Sequence, residues 1–169
     1  MERDNMRLQE GILLDKMKIR VGVTSVTKGA GATFVSEAID HMLNERDSVK
    51  FFVSRPDKFI VIDSPKSPDD VDVLICVLDP LPSRLKEGAP RYTILRSINV
   101  PKIWLINRDN PGVDHRELEK FLELRPDFSQ EALPYESICR AEYNCERPED
   151  SLKLKGIKEL ADFIKREYQ

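Results

Sequence analysis

Residues 21–34 read V-G-V-T-S-V-T-K-G-A-G-A-T-F. An apolar strand pattern runs into a turn rich in glycine and alanine, and the apolar spacing of a helix follows at once. Small residues let backbone N–H groups curl around an anion, and the N-terminal end of the helix adds a positive partial charge. The stretch therefore predicts a strand, a phosphate-binding loop and a helix in an α/β domain.

The loop departs from the full phosphate-binding motif at two positions. In G-x-x-x-x-G-K-[ST] the lysine reaches the β- and γ-phosphates and the hydroxyl holds Mg²⁺. Val26 stands at the first glycine and Ala32 at the lysine, whereas Gly31 and Thr33 match the motif. The layout predicts a nucleotide site that lacks its main catalytic cation. The alternative is that Gly29 and Gly31 only form a tight turn without a ligand.

Length and composition indicate one soluble domain. The 169 residues are 40% hydrophobic and 34% charged, which is typical of a globular chain. The net charge of −3 argues against binding nucleic acid through the charge of the whole domain. We expect a cytoplasmic protein, because no apolar run reaches membrane-span length and no signal-peptide core is present. The three cysteines fit a reduced compartment, and none has a zinc-ligand spacing.

Strand-like and helix-like segments alternate along the chain, which predicts an α/β fold with a mostly parallel sheet flanked by helices in three layers. Residues 1–17 are expected to be an N-terminal arm or helix, and residues 18–169 a single domain. Predicted strands are 19–24, 49–54, 59–63, 73–78, 102–107 and a short one near 132–134. Predicted helices are 33–46, 83–98, 114–124 and 152–167, with Asp114 and Glu117 as a capping pair.

Two polar residues follow predicted strands and are candidates for ligand contacts. Asp63 ends an apolar strand, where a carboxylate can hold Mg²⁺ together with the Thr33 hydroxyl. Its alternatives are a helix cap or a solvated loop residue. Asn107 ends a later strand and either contacts a nucleotide base or closes a turn with the following N-P-G at 110–112.

Four segments in order resemble one protein family. They are T-K-G-A-G-A-T at 27–33, F-I-V-I-D-S-P at 59–65, V-L-I-C-V-L-D-P at 73–80 and W-L-I-N-R at 104–108. L-P-Y at 133–135 and C-R-A at 139–141 match a later stretch of the same pattern. From about residue 19 to residue 148 the chain resembles the deviant Walker ATPases of the ParA/MinD type, in the SIMIBI class of P-loop proteins.

The resemblance implies a reduced P-loop NTPase-like fold that binds ATP or ADP with Mg²⁺. It implies Mg²⁺ ligands at Thr33 and Asp63 and adenine contact at Asn107. The remaining cofactor-binding positions lie in the loop and the start of its helix: Lys28, Gly29, Ala30, Gly31, Ala32, Thr33 and Phe34.

The same resemblance implies catalytic groups that this chain lacks. The family has a lysine at the position of Ala32 and a signature lysine at the position of Thr27, one residue from Lys28. It also has a long segment carrying a water-orienting aspartate, whereas here residues 46–59 leave room for about a strand and a turn. Lys28 and Asp57 are the remnant candidates. Because phosphoryl transfer depends on positioning and charge stabilisation, these losses predict deficient hydrolysis.

The leading expectation is a hydrolysis-deficient ParA/MinD-like protein acting as a binding or scaffold module in subcellular positioning or assembly, with a protein partner or as a homodimer. The loop is similar to those of pilus-assembly-associated bacterial members. One alternative is a slow MgATP-dependent ATPase completed by Lys28 or a partner's lysine, and another is a sensor that binds nucleotide without hydrolysis. A basic run is either a solvated helix face or a non-specific nucleic-acid patch: Arg84, Lys86, Arg91 and Arg96.

Overall fold

Five parallel strands form one sheet in the order β2-β1-β3-β4-β5. The computed structural model describes residues 18–44, 57–147 and 152–168. The strands are β1 Ile19–Ser25, β2 Phe59–Asp63, β3 Val73–Leu78, β4 Lys102–Asp109 and β5 Phe128–Glu131. Every neighbouring pair is parallel. β3 is buried at every residue, which explains why its sequence is a continuous apolar run rather than an alternating one.

Helices cover both faces of this sheet. They are α1 Ala32–Leu43, α2 Pro82–Ser97, α3 His115–Leu122, α4 Tyr135–Tyr143 and α5 Lys155–Glu167. Successive side chains of a strand point to opposite faces. The odd-numbered residues of β3 pack in one core cluster with α1 and α5, and the even-numbered ones pack in a second cluster with α2 and α3. The predicted three-layer α/β class is confirmed.

The carboxyl end of β1 lies where the chain changes direction across the sheet. α1 leads from β1 to β2 on one side, and the chain then returns past β1 to β3 on the other. In an open parallel sheet, ligands bind outside the carboxyl ends of the strands at such a switch point. The 26–31 loop, which connects β1 to α1, occupies this position.

Most predicted elements are confirmed to within three residues at each end, including the last helix, which begins at Lys155 rather than at residue 152. One prediction is wrong, because the last strand is β5 at Phe128–Glu131 rather than near 132–134. α4 was not predicted. Asp114 is the N-cap of α3 and accepts from the backbone N–H of Glu117 at 3.2 Å. The predictions for residues 1–17 and 49–54 lie outside the described residues.

β5 was predicted too far along the chain because its buried position carries a polar side chain. Gln130 is only 1% exposed, and its Oε1 accepts from the backbone N–H of Ile157 in the first turn of α5 at 3.2 Å. α5 has no side-chain cap of its own. The glutamine therefore satisfies a helix N–H that would otherwise lack a partner, and it fastens α5 to the sheet.

Two further observations concern parts of the chain away from the loop. Cys76 is fully buried in β3, and burial raises the pKa of its thiol to about 12. The thiol therefore stays protonated at neutral pH and serves as a small core residue. Within the described ranges, no helix is both long enough and apolar enough to cross a membrane.

Candidate functional site

The 26–31 loop is a compact turn that delivers the chain directly into α1. The backbone N–H of Ala30 donates to the carbonyl of Thr27 at 3.2 Å. Gly29 has a φ of 75° and Gly31, the N-cap of α1, a φ of 90°. Both values lie in the left-handed region that disfavours residues with a Cβ. The glycines are thus required by the backbone path, whatever the loop binds.

The first turn of α1 offers backbone donors without acceptors. Gly31 provides no side-chain cap, and the turn contains no acidic residue. Among the described residues, no acceptor is recorded for the backbone N–H groups of Ala32, Thr33 and Phe34. Such a helix N-terminus, with its positive partial charge, is suited to an anion.

Thr33 and Asp63 meet beside this turn. The Thr33 hydroxyl donates to Oδ2 of Asp63 at 2.8 Å, and both residues are exposed. Ser64, in the left-handed region at φ 52°, donates through Oγ to the other carboxylate oxygen at 3.0 Å. A hydroxyl and a carboxylate at adjoining positions are the hard oxygen ligands that Mg²⁺ takes. These residues fit the cation that the loop motif implies.

Asn107 lies beneath the loop rather than in an open position for a base. Its side chain is 6% exposed, and its Nδ2 donates to the carbonyl of Ala30 at 2.8 Å. The turn at 110–112 is closed by Asn110, whose Oδ1 accepts from the N–H of Gly112 at 3.0 Å. Asn107 therefore ties the loop to the end of β4 and does not close the 110–112 turn. Its contact with a nucleotide base stays a prediction.

α2 holds the loop through three residues at helical spacing. Arg84 Nη1 donates to the carbonyl of Lys28 at 3.2 Å. Arg91 donates from Nε to the carbonyl of Ser25 at 2.6 Å and from Nη2 to Thr24 Oγ1 at 2.8 Å. Residues 84, 88 and 91 share one face because they recur at i, i+4 and i+7.

Gly88, the middle residue of this face, permits close approach of α2 to the loop. A Cβ at Gly88 would lie 2.6 Å from Cγ2 of Thr27 and 2.9 Å from the carbonyl oxygen of Val26. Sequence reasoning missed this contact face. The signal that was available is a glycine in a helix between two arginines at helical spacing.

The four predicted basic residues do not form one patch. Arg84 faces the loop and Arg91 the end of β1 just before it, whereas Lys86 lines a groove between α2 and α3. Arg96 lies 3.4 Å from Glu123 and over the ring of Tyr92 at 5.7 Å. Nucleic-acid binding by these residues stays a prediction, and the structure distributes their charge over different faces of α2.

The two remnant catalytic candidates lie far apart. Lys28 is exposed in the loop, and among the described residues no partner is recorded for its side chain. Asp57 precedes β2, whose first residue pairs with the first residue of β1. It therefore lies near the amino-terminal end of β2, whereas the site lies at the carboxyl ends of the strands. By the rise per residue along a strand, Asp57 is about 20 Å from Asp63. Asp57 does not belong to this site.

The alanines and the phenylalanine of the predicted site contribute backbone rather than side chains. Ala30 is fully buried, and Ala32 is 6% exposed within the core cluster on the α1 face. Phe34 is half-buried against the same cluster. The position that the motif assigns to lysine thus points its short side chain into packed core.

An ion pair at the end of β3 between the buried Asp79 and the exposed Arg108 was not predicted. Asp79 is 4% exposed; its Oδ1 accepts from the N–H of Leu81 at 3.0 Å, and its Oδ2 from Arg108 Nη1 at 3.2 Å. Arg108 adopts a φ of 65° at an irregularity of β4. The pair joins the carboxyl ends of β3 and β4 next to the loop, and its buried charge is matched by a cation.

Comparison with known proteins shows likeness in fold only. No family model matches the chain, and no curated protein does. A ParA family ATPase from Chlorobium tepidum TLS superposes with a TM-score of 0.61 at 10% identity, over 90% of this chain and 99% of that one. A plasmid partition protein, so described provisionally, from Borrelia burgdorferi B31 bound to AMPPNP gives 0.56 at 12% identity, over 88% and 99%. The chain has the P-loop fold of these proteins.

Proposed function

We propose that this chain, which shares the fold of ParA-family ATPases, binds a nucleoside di- or triphosphate with Mg²⁺ at the 26–31 loop and hydrolyses it poorly or not at all. The observation that carries the proposal is the 2.8 Å contact between Thr33 and Asp63 beside the open first turn of α1. The hydroxyl and carboxylate would hold the ion, which neutralises phosphate charge when bound. The turn would hold the phosphates through its N–H groups.

The deficiency in hydrolysis follows from the groups around this contact. Ala32 supplies no cation, and Asp57 lies at the amino-terminal end of the strands, away from the loop. Phosphoryl transfer needs a positioned nucleophile and a stabilised developing charge, and little other chemistry from the protein. A site that retains ion and phosphate contacts but lacks these two groups supports binding over turnover.

A protein that binds nucleotide without turnover acts through its contacts with other proteins. We propose that nucleotide occupancy sets the conformation that a protein partner, or a second copy of the chain, recognises in the positioning or assembly of a larger structure. A role in pilus assembly belongs to the same proposal. The competing function is a slow ATPase, which the exposed Lys28 favours, because its side chain is available to the site of this copy or of another.

Replacing Asp63 with asparagine should remove the Mg²⁺-dependent part of nucleotide binding. The amide lacks the charge of the carboxylate, so we expect affinity for MgATP to fall by about tenfold or more while affinity for ATP in EDTA changes little. Thermal shift and fluorescence titration would measure this. Glu37→Gln is the matched control, because it removes an exposed carboxylate one turn further along α1. Equal Mg²⁺ dependence in wild type and Asp63→Asn would contradict the assignment.

Restoring the motif lysine alone should not restore hydrolysis. In Ala32→Lys we expect phosphate release to stay at the background of a no-protein control, because no aspartate of the described site orients the attacking water. A malachite-green assay measures turnover, and circular dichroism checks that the variant is folded despite the buried position of Ala32. Turnover in folded Ala32→Lys would show that the missing lysine is the main defect.

A further inference from the structure

We propose that Arg84 of α2 supplies the positive charge that the loop lacks at Ala32 and binds the phosphate groups of the ligand. The inference rests on the proposed function, since it names a residue of the same site. It assigns the phosphate-binding cation to a helix that follows β3, two strands away in sequence from the loop motif.

The guanidinium of Arg84 lies alongside the outer turn of the loop. Its Nη1 is 3.2 Å from the carbonyl of Lys28, and a Cβ at Gly29 would lie 3.9 Å from the same nitrogen. Gly29 thus leaves an open approach between the arginine and the turn. Because a guanidinium has five N–H donors, one contact to a carbonyl leaves donors for phosphate oxygens, which arginine binds in a bidentate manner.

No carboxylate of the described residues neutralises Arg84. None is recorded within ion-pair distance, in contrast to Arg96 with Glu123 and Arg108 with Asp79. The acceptor that Arg84 does have is a neutral carbonyl, so its full charge remains beside the loop. An arginine that is exposed, positioned by backbone and free of an acid is suited to an anion.

The two other residues of the α2 contact face hold Arg84 in place. Gly88 brings the helix backbone against Val26 and Thr27, and Arg91 fastens the next turn to Ser25 and Thr24. Arg84 lies one turn before Gly88, so the helix backbone that carries its side chain is held against the same loop. The buried Oγ1 of Thr27, in the same turn, has no partner among the described residues.

The inference predicts that affinity depends on the number of phosphates through Arg84. We expect wild type to bind ATP more tightly than AMP, and Arg84→Gln to lose about 10- to 100-fold in affinity for ATP but less than about threefold for AMP. The ATP affinity of the variant should also fall less steeply with added salt, because one screened charge is gone. Titrations with ATP, AMP and inorganic tripolyphosphate at two salt concentrations would measure these effects.

Two further variants separate charge from structure. Arg84→Lys keeps the charge and should retain most of the preference for ATP over AMP. Lys86→Gln removes a cation two residues further along α2, on the face that lines the groove, and should bind like wild type. If Arg84→Gln does not fold, Arg84→Met keeps the aliphatic stem without the charge and must lose the preference for ATP over AMP. An equal loss for ATP and AMP in a folded variant would indicate a structural role and overturn the inference.

Failure of the inference and failure of the proposed function give different results. If wild type binds neither ATP nor tripolyphosphate, the function is wrong and the inference with it. If wild type binds ATP and Arg84→Gln binds it as tightly, Arg84 is not the cation, while the nucleotide site stands.

Discussion

Gly156→Ala should lower the free energy of unfolding by about 3 kcal/mol or more, as expected for a forced backbone shift in a packed core. A Cβ at this position would lie 2.0 Å from the carbonyl oxygen of Ser129 and 2.9 Å from Cα of Gln130. These are backbone atoms of β5, so they cannot relieve the clash by a change of rotamer as a side chain would. α5 must therefore move off the sheet, although Ile157, Leu160 and Ile164 are fully buried on it.

Chemical denaturation monitored by circular dichroism measures this effect through the midpoint and the slope. Gly112→Ala is the control, because its Cβ would meet only the side-chain Oδ1 of the exposed Asn110, at 3.1 Å. We expect that variant to change stability by less than about 1 kcal/mol. Equal stability of Gly156→Ala and wild type would mean that α5 does not approach β5 as closely as the structure places it.

Gly31→Asp should abolish nucleotide binding, with a loss of about 100-fold or more in affinity. The residue adopts a φ of 90°, which costs a residue with a Cβ about 1–2 kcal/mol. A Cβ would also lie 2.7 Å from Nδ2 of Asn107, the atom that holds the carbonyl of Ala30. In addition, a carboxylate at the N-cap would compete for the first-turn N–H groups of α1 and repel phosphate.

Gly29→Ala provides the matched comparison for the loop. It also has a positive φ, of 75°, but its Cβ would have no neighbour nearer than Arg84 Nη1 at 3.9 Å. We therefore expect a loss of stability of about 1–2 kcal/mol from the backbone alone, and a loss of affinity below about tenfold. Isothermal titration of both variants with MgATP tests the difference. Wild-type affinity in Gly31→Asp would place the phosphate site elsewhere.

Local pattern was sufficient for most of the fold. Mostly apolar runs predicted β1 to β4, and the uninterrupted run of β3 is typical of a parallel strand buried on both faces. The 3.6-residue spacing of apolar positions predicted α1 and α5. The contact of Thr33 with Asp63 was also foreseeable, because a loop after one parallel strand and the end of another meet at the same sheet edge. β5 was misplaced and α4 was missed because their residues carry little apolar pattern: β5 buries a glutamine, and α4 buries only Ala141.

The roles of individual polar residues were harder to predict from the sequence. The roles of Asn107 and Asp57 were inferred from their positions along the chain. In the structure Asn107 donates a hydrogen bond to the loop, and Asp57 lies at the amino-terminal end of the strands, away from the site. Arg84 and Arg91 were grouped with Lys86 and Arg96 because they share a sign and a helix. A run of charges does not reveal which residues meet a partner, since that depends on which helix face the sheet covers.

The chain's own order of residue types specifies the α/β alternation, the glycines of the 26–31 loop and the hydroxyl and carboxylate at Thr33 and Asp63. These depend on backbone preference and on short-range periodicity, which act within a few residues. The contact between α2 and the loop depends instead on the tertiary structure, because Arg84 and Lys28 are 56 residues apart. They meet only when β3 lies against β1 and α2 packs over them, so the placement of Arg84 beside the loop is a property of the folded chain.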